Sequence, residues 1–135
     1  MPTPTPLSLT KAERICRQNL MDELFANGQH HTLKAYPVKV FYTLTDQEDG
    51  IPVKIMVSVS KQRCFRHAVD RNRAKRQLRE AYRKAKPNLV SHILENHPSK
   101  TLLLAFIWLS SEPFDSWKID RAMAHLLRQI QERTL

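Results

Sequence analysis

The sequence predicts a single-domain α+β fold, and three observations support this prediction. Residues 38–44 and 53–59 alternate apolar and polar side chains, which is the period of a half-buried β-strand. Residues 101–109 (TLLLAFIWL) form an apolar run, as expected of a central strand covered on both faces. Apolar residues recur at helical spacing between and around these strands. The 135 residues are enough for one hydrophobic core.

The first part of the chain is predicted to contain a tail, a helix and a loop. Residues 1–8 are rich in proline and threonine, so we expect a disordered tail before a domain formed by residues 9–135. Helical spacing and capping signals predict a helix from Thr10 to about Ala26. Residues 29–35 are predicted to be a loop.

The two alternating strands are separated by a short polar turn, so they can pair as a hairpin. Near the other end of the chain, residues 88–96 are predicted to form a short helix before the central strand. A final helix follows, with Asp115 or Ser116 as its cap. Its core-facing stripe consists of Ile119, Met123, Leu126 and Ile130.

Residues 68–86 (AVDRNRAKRQLREAYRKAK) predict an amphipathic helix that carries most of the functional information. Asp70 can be its N-cap or an acid in its first turn, and Pro87 is expected to end it. One narrow apolar stripe is formed by Ala74, Leu78, Ala81 and Ala85. The opposite side carries Arg71, Asn72, Lys75, Arg76, Arg79, Arg83 and Lys86.

The net charge of +9 is concentrated in one segment. Residues 61–86 contain eleven Lys or Arg and two acidic residues, and the rest of the chain is balanced. Like charges on one helix face repel each other, so folding gives no reason for this arrangement, whereas a polyanion does. Because guanidinium groups match phosphate oxygens, the pattern indicates nucleic acid as the partner. An anionic membrane is a weaker interpretation, because the opposite face is mostly alanine.

Motifs for catalysis by protein side chains are missing from the sequence. No P-loop, dinucleotide fingerprint, H-E-x-x-H, C-x-x-C or G-x-S-x-G motif occurs. His30 and His31 are interpreted as a surface pair rather than as metal ligands. Cys64 and His67 lie in a cationic loop, a setting that lowers the pKa of a thiol, but no orienting partner is recognisable. We therefore assign no catalytic and no metal-binding residue to the protein.

The expected location is a reducing, intracellular one. Cys16 and Cys64 are isolated and far apart, which favours reduced thiols, although one bridge stays open as an alternative. The N-terminus lacks the basic and apolar regions of a signal peptide, and the longest apolar run is too short for a membrane span.

Aromatic residues give a second indication of RNA binding, because they can stack on unpaired bases or belong to the core. Phe41 and Tyr42 are neighbours in the first alternating strand, so they point to opposite faces. Tyr42 shares its face with Val38 and Val40, which favours burial, while Phe41 shares its face with polar neighbours.

The basic segment resembles a known family. The string S-V-S-K at residues 58–61, a short basic loop, and A-V-x-R-N-R-x-K-R-x-x-R-E at residues 68–80 are similar to the signature of the bacterial ribonuclease P protein component. The segments M-D-E-L-F-A-N-G and V-F-Y-T-L also match in order, so that the resemblance spans residues 9–133. The loop at residues 62–67 is longer than in many members of the family.

The resemblance implies a fold like the second domain of ribosomal protein S5, with a left-handed βαβ crossover that carries the basic helix. It also implies a cytoplasmic protein subunit, without an expected protein oligomer, of a ribonucleoprotein endoribonuclease. That enzyme removes the 5′ leader from precursor tRNA. Catalysis would reside in the RNA subunit with Mg²⁺, and the protein itself would bind no cofactor.

The family's functional residues map onto two groups in this sequence. RNA-binding positions would be Lys61, Arg71, Asn72, Arg73, Lys75, Arg76 and Arg79. The cleft for the single-stranded 5′ leader would include Met21, Phe25 and Tyr42. The position of Tyr42 in a cleft conflicts with the burial that its strand parity predicts.

Three alternatives remain beside this interpretation. A ribosomal or assembly-type RNA-binding protein could use the same fold without stimulating cleavage of precursor tRNA. A helix-turn-helix DNA-binding protein is disfavoured, because no second helix follows at the required short turn. An autonomous nuclease is disfavoured by the missing metal or acid–base cluster.

Overall fold

The computed structural model describes residues 31–46, 50–59 and 67–134. Within these ranges the chain forms three strands, a long helix, a fourth strand and a second helix. Their bounds are β1 (His31–Ala35), β2 (Val38–Asp46), β3 (Val53–Val59), α1 (Ala68–Asn96), β4 (Lys100–Trp108) and α2 (Ser116–Arg133). The predicted α+β class is confirmed. The predicted tail and the predicted first helix lie outside the described residues.

The four strands form one sheet in the order β1-β2-β4-β3. β2 is antiparallel to β1 and β4, whereas β3 is parallel to β4. The predicted hairpin between β2 and β3 is therefore wrong, because β4 lies between them. Parallel neighbours need a long crossover connection, and α1 provides the one from β3 to β4. The left-handedness of this crossover stays a prediction.

Residues 31–35 form an edge strand instead of the predicted loop. β1 pairs with β2 from His31 opposite Tyr42 to Ala35 opposite Val38. A two-residue turn with a cis peptide bond between Tyr36 and Pro37 joins the strands. Leu33 is the one buried residue of this short strand, so the sequence carries almost no alternation that could have predicted the strand.

α1 continues through Pro87 to Asn96, so both the predicted stop and the separate short helix are wrong. A proline inside a helix costs about 3 kcal/mol, because it removes one hydrogen bond and crowds the preceding turn. Leu89 and Ile93 are fully buried beyond it. Their burial contributes about 1.5–3 kcal/mol each, which offsets that cost. At the other end, Asp70 lies in the first turn and His67 occupies the N-cap position.

The core lies between the sheet and both helices. Alternate strand residues, including Val40, Ile55 and Phe106, face the helices and are buried together with the apolar sides of α1 and α2. The predicted stripe of α2 is confirmed, since all four of its residues are fully buried. From α1, Leu78 and Tyr82 contribute the largest side chains to the same cluster.

The opposite side of the sheet, called here the second face, carries a smaller apolar cluster. Leu103 and Ala105 of β4 are buried there, with Phe41 and Met56 packed against them. The residues of β4 are therefore buried on both faces of the sheet, as predicted for a central strand.

In the described part of the chain, neither helix combines the length and the apolar character that crossing a membrane requires.

The continuity of α1 past Pro87 leads to a stability prediction. We expect Leu89→Ala to lower the free energy of unfolding by about 2–5 kcal/mol, because it leaves a cavity under the second half of the helix. Leu94 is 51% exposed on the same half. Leu94→Ala should change the free energy by no more than about 0.5 kcal/mol. Urea denaturation of both variants measures the difference, and equal losses would contradict the packing described here.

Candidate nucleic-acid interface

The predicted RNA-binding residues of α1 spread around the exposed part of its first half. Successive helix residues are turned by about 100°, so Asn72, Arg76 and Arg79 fall on one ridge. Arg71 and Lys75 lie on one flank of this ridge. Arg73 lies on the other flank, where it lines a small cleft with Ser111 and Pro113. Asn72, Arg73 and Arg76 are exposed, and the other three are half-buried.

Three of these cations lack a carboxylate partner in the part of the chain that the structure describes. Within the described ranges, the side chains of Arg73, Lys75 and Arg76 form no salt bridge. They lie within one turn of each other, so their mutual repulsion opposes folding to a small extent. A polyanion at this surface would relieve that repulsion.

Glu80 is an acidic residue on the exposed part of the same helix, and it pairs with Arg83. Its carboxylate accepts hydrogen bonds from Arg83 Nε and Nη2, with Nη2 at 2.9 Å from Oε2. These bonds hold the pKa of Glu80 below its ordinary value, and they raise that of Arg83. Since the lowered pKa keeps the carboxylate ionised, the pair is intact at neutral pH and is lost as the pH falls through that pKa.

Lys86 was predicted on the cationic side, and the structure corrects this. It is 5% exposed. The buried part of the helix surface widens in the second half, where Tyr82, Leu89 and Ile93 face the core, and Lys86 falls within it. A lysine can be accommodated there because its aliphatic stem packs like an apolar side chain.

Polar contacts with α2 fix the rotation of α1 about its axis. Gln77 is buried, and its Nε2 donates to the Phe114 carbonyl at 2.8 Å and to Ser116 Oγ at 3.2 Å. About two turns further along the helix, Lys84 Nζ forms a salt bridge with Asp120 Oδ2 at 2.6 Å. These contacts settle which side chains of α1 face outward.

The second face of the sheet carries cations around an aromatic ring. The strand register brings Phe41, Ala105 and Met56 into one row across three strands. Lys39 Nζ lies 4.8 Å from the centre of the Phe41 ring. Lys34 is paired with Lys39, and Lys54 lies beside Leu103 on the same face. Among the described strand residues of this face there is no carboxylate.

The residues predicted for the 5′-leader cleft are only partly described. Tyr42 is 3% exposed and lies on the helix-facing side of the sheet, with its ring 5.1 Å from that of His31. Its strand parity therefore predicted its position correctly, and its role in a cleft stays a prediction. Met21, Phe25 and the RNA-binding Lys61 lie outside the described residues.

In the described ranges, no group of three or more His, Cys, Asp or Glu side chains is placed to hold a metal ion.

Comparison with known proteins identifies the family. The sequence pattern of the family described as Ribonuclease P matches residues 9–112. The chain is 35% identical to the ribonuclease P protein component of Porphyromonas gingivalis over 130 residues, which cover 96% of this chain and 91% of that protein. The chain belongs to the ribonuclease P protein family. Members of this family are RNA-binding subunits of the endoribonuclease that processes the 5′ end of tRNA.

Two further relatives agree with this assignment. The ribonuclease P protein component of Chlorobium phaeobacteroides is 34% identical over 121 residues, which cover 84% of this chain and 81% of that protein. A solved structure of the RNase P protein of Staphylococcus aureus superposes with a TM-score of 0.64 at 22% identity. That match covers 89% of this chain and 96% of the other, and it shows the shared fold.

Sequence reasoning overlooked the lysines of the second face. Lys39 and Lys54 each lie between two buried apolar residues, so the alternation had already placed them opposite the core, whereas Lys34 lies in the segment that was predicted to be a loop. What the sequence did not provide was the strand order, which brings Lys34, Lys39 and Lys54 onto one surface of three different strands.

The exposed ridge of α1 can be tested by one substitution. We expect Arg76→Ala to weaken binding of ribonuclease P RNA about 5- to 30-fold and to reduce the slope of log K against log salt by about 1, because it removes one phosphate contact. The fold should be unaffected, since Arg76 is exposed. Arg128→Ala is the matched control, an exposed cation on α2 outside the ridge. Titrations at several salt concentrations measure both quantities, and equal behaviour of the two variants would remove Arg76 from the interface.

Proposed function

We propose that this member of the ribonuclease P protein family binds the catalytic RNA through α1 and the 5′ leader of precursor tRNA through the second face of the sheet. The observation that carries the proposal is the concentration of cations on the exposed part of α1, three of which, Arg73, Lys75 and Arg76, form no salt bridge within the described residues. We also propose a cytoplasmic location, without a protein oligomer, and an arrangement in which the RNA holds the Mg²⁺ ions.

Electrostatics supports the assignment of the catalytic RNA to α1. Arg71, Asn72, Arg73, Lys75, Arg76 and Arg79 span about 200° of the helix circumference. One extended strand of phosphates cannot reach side chains across that arc, whereas a folded RNA with backbone on two sides of the helix can. Release of counterions from those phosphates would supply much of the affinity.

The second face is suited to a single strand. Neighbouring strands of a sheet lie about 4.8 Å apart, so Phe41 and Met56, with Ala105 between them, are separated by about 10 Å. An aromatic ring can stack on an unpaired base, and methionine can pack against one. Lys39 and Lys34 lie next to this row and can contact the phosphates. These groups recognise no base edge, which suits a leader of variable sequence.

The chain's own groups support binding and orientation rather than chemistry. Cations on α1 would lower the repulsion between RNA segments that have to approach each other. The second face would hold the leader so that it extends from the cleavage site in a fixed direction. Hydrolysis would be carried out by the RNA and its Mg²⁺, so that no protein side chain is given a catalytic role.

A reconstitution separates this proposal from its alternatives. We expect precursor tRNA to be cleaved at physiological Mg²⁺ by the mixture of protein and catalytic RNA faster than by the RNA alone, and not by the protein alone. The measurement is the initial rate of 5′-leader release in the three reactions. An unchanged rate in the mixture would reduce the protein to a general RNA-binding protein. Cleavage by the protein alone would move the chemistry to its side chains.

The position of the leader is tested by two neighbouring aromatics. Phe41→Leu should weaken binding of a precursor tRNA with a leader about 5-fold, because base–aromatic stacking is lost, and should leave binding of the mature tRNA unchanged. Tyr42→Phe serves as the control on the opposite side of the same strand. A loss of leader-dependent affinity in Tyr42→Phe, with none in Phe41→Leu, would reverse the assignment and support the cleft role of Tyr42.

A further inference from the structure

A groove lies between the β1–β2 turn and the first half of α2, outside the two surfaces described above. Its volume is about 460 Å³. Its lining includes Tyr36, Phe114, Trp117, Lys118 and Arg121. Neither α1 nor the second face of the sheet contributes to this lining in the described residues.

Two of the lining aromatics are exposed to an extent that folding does not explain. Tyr36 is 61% exposed and Trp117 is 58% exposed, while the other tryptophan, Trp108, is buried. Exposed aromatic side chains that are grouped in one groove indicate a binding site rather than scattered surface residues.

The aromatic rings are held in place from below. The Tyr36 ring meets the Phe114 ring at an angle of 71°, with 5.8 Å between their centres. Phe114 in turn packs edge-on against the buried Trp108 at 6.1 Å. Since this chain of contacts links the rings of Tyr36 and Phe114 to the core, these two side chains need little ordering when a ligand binds.

Two cations of α2 lie beside the aromatic rings of the groove. Lys118 Nζ lies 5.5 Å from the centre of the Trp117 ring and 5.8 Å from that of Phe114. Arg121 is exposed one turn after Trp117 on the same helix. Among the described residues, no carboxylate lines the groove. The nearby Asp120 is engaged in the salt bridge with Lys84 of α1.

Rigid aromatic rings with adjacent cations are the composition of a site for single-stranded nucleic acid, in which bases stack and phosphates are neutralised. Protein–protein contact sites are also enriched in Trp, Tyr and Arg. Position decides between the two. Gln77 of α1 donates to the Phe114 carbonyl, and Arg73 lines the cleft next to it. The groove therefore lies next to the flank of α1 that carries Arg73, at the same end of the domain as the cationic ridge.

We propose that the groove between Tyr36 and Trp117 is a third RNA-binding site, which takes one or two unpaired nucleotides of the catalytic RNA. The base of such a nucleotide would stack on Trp117, and the phosphates next to it in the RNA backbone would contact Lys118 and Arg121. This inference rests on the proposed function, because it assumes the same RNA that α1 contacts. It adds recognition of an unpaired nucleotide beside the flank of α1 that carries Arg73.

The two tryptophans make a direct test possible. Trp108 is buried, so a nucleotide that stacks in the groove should quench the fluorescence of Trp117 alone. We would titrate the full chain with a six-nucleotide oligoadenylate and, separately, with inorganic polyphosphate. Quenching by the oligonucleotide but not by polyphosphate is the expected result. Equal quenching by both, or quenching by neither, would overturn the stacking of a base on Trp117.

Affinity for the complete catalytic RNA is the second measurement. Trp117→Ala should weaken binding about 10-fold, and Trp117→Phe should keep the affinity while losing the fluorescence change. Leu94→Ala is the matched control, an exposed apolar residue on the distant half of α1. Circular dichroism verifies that each variant is folded.

The outcomes separate the inference from the function on which it rests. If the wild-type protein binds the RNA and both Trp117 variants bind equally well, the groove is no RNA site, while the role of α1 stands. If the wild-type protein does not bind the catalytic RNA, the proposed function itself fails. Loss of affinity in Trp117→Phe as well as in Trp117→Ala would also contradict stacking, since phenylalanine retains an aromatic face.

Discussion

The parallel pairing of β3 with β4 is the constraint on which the rest of the structure depends. Two adjacent parallel strands require the chain to return along the whole sheet between them, and α1 makes this return. With 29 residues the helix is about 43 Å long, against about 30 Å for the nine residues of β4. It therefore covers the sheet and extends beyond it. Near the carboxyl end of β4, the first turns of α1 bring Arg73 beside Ser111 and Pro113, past the last residue of the strand. Cations at this end are thus held by a helix whose other turns are anchored in the core.

A second condition is that α1 must not rotate about its own axis, because rotation would turn the cationic ridge into the core. Apolar packing alone permits some rotation, since two of the buried side chains, Ala74 and Ala81, are small. Polar contacts from one side of α1 to α2, and to the residue that follows α2, remove this freedom. They involve Gln77, Lys84, Asn88 and His92. This row lies roughly 140° around the helix from the ridge of Asn72, Arg76 and Arg79. The contacts between the helices therefore set the direction in which the predicted RNA-binding side chains point, without including any of them.

Rules based on neighbouring residues predicted individual strands and buried faces correctly. They failed for features that depend on contacts between residues distant in sequence. Alternation correctly assigned β2 and β3, and it placed Tyr42 in the core, although the family resemblance suggested a cleft. The rule that proline ends a helix failed at Pro87, because the burial of Leu89 and Ile93 against other elements outweighs a local cost. Strand order was not predictable, since the insertion of β4 between β2 and β3 joins residues more than forty positions apart. For the same reason, the groove at Tyr36 and Trp117 has no signature in the sequence: its two walls meet only in the folded chain.

Stability and binding are supplied by different residues of the same helix. The buried side of α1 is built from alanine, leucine and tyrosine, while most of its cations lie outside that side, and Lys86 is the one that the core accommodates. Outside residues 61–86 the chain has eleven basic and eleven acidic residues, so the concentrated charge is not balanced by a general excess of acids elsewhere. Repulsion among the cations consequently lowers the stability of the free protein, and the core has to compensate for it.

A polyanion that neutralises these charges removes the repulsion and gains its own electrostatic attraction at the same time. Binding and folding are therefore coupled: any ligand that prefers the folded chain stabilises it in proportion to the logarithm of its concentration relative to Kd. The charges that make the isolated protein less stable are the ones that we propose to bind RNA, and in that complex they would be stabilising.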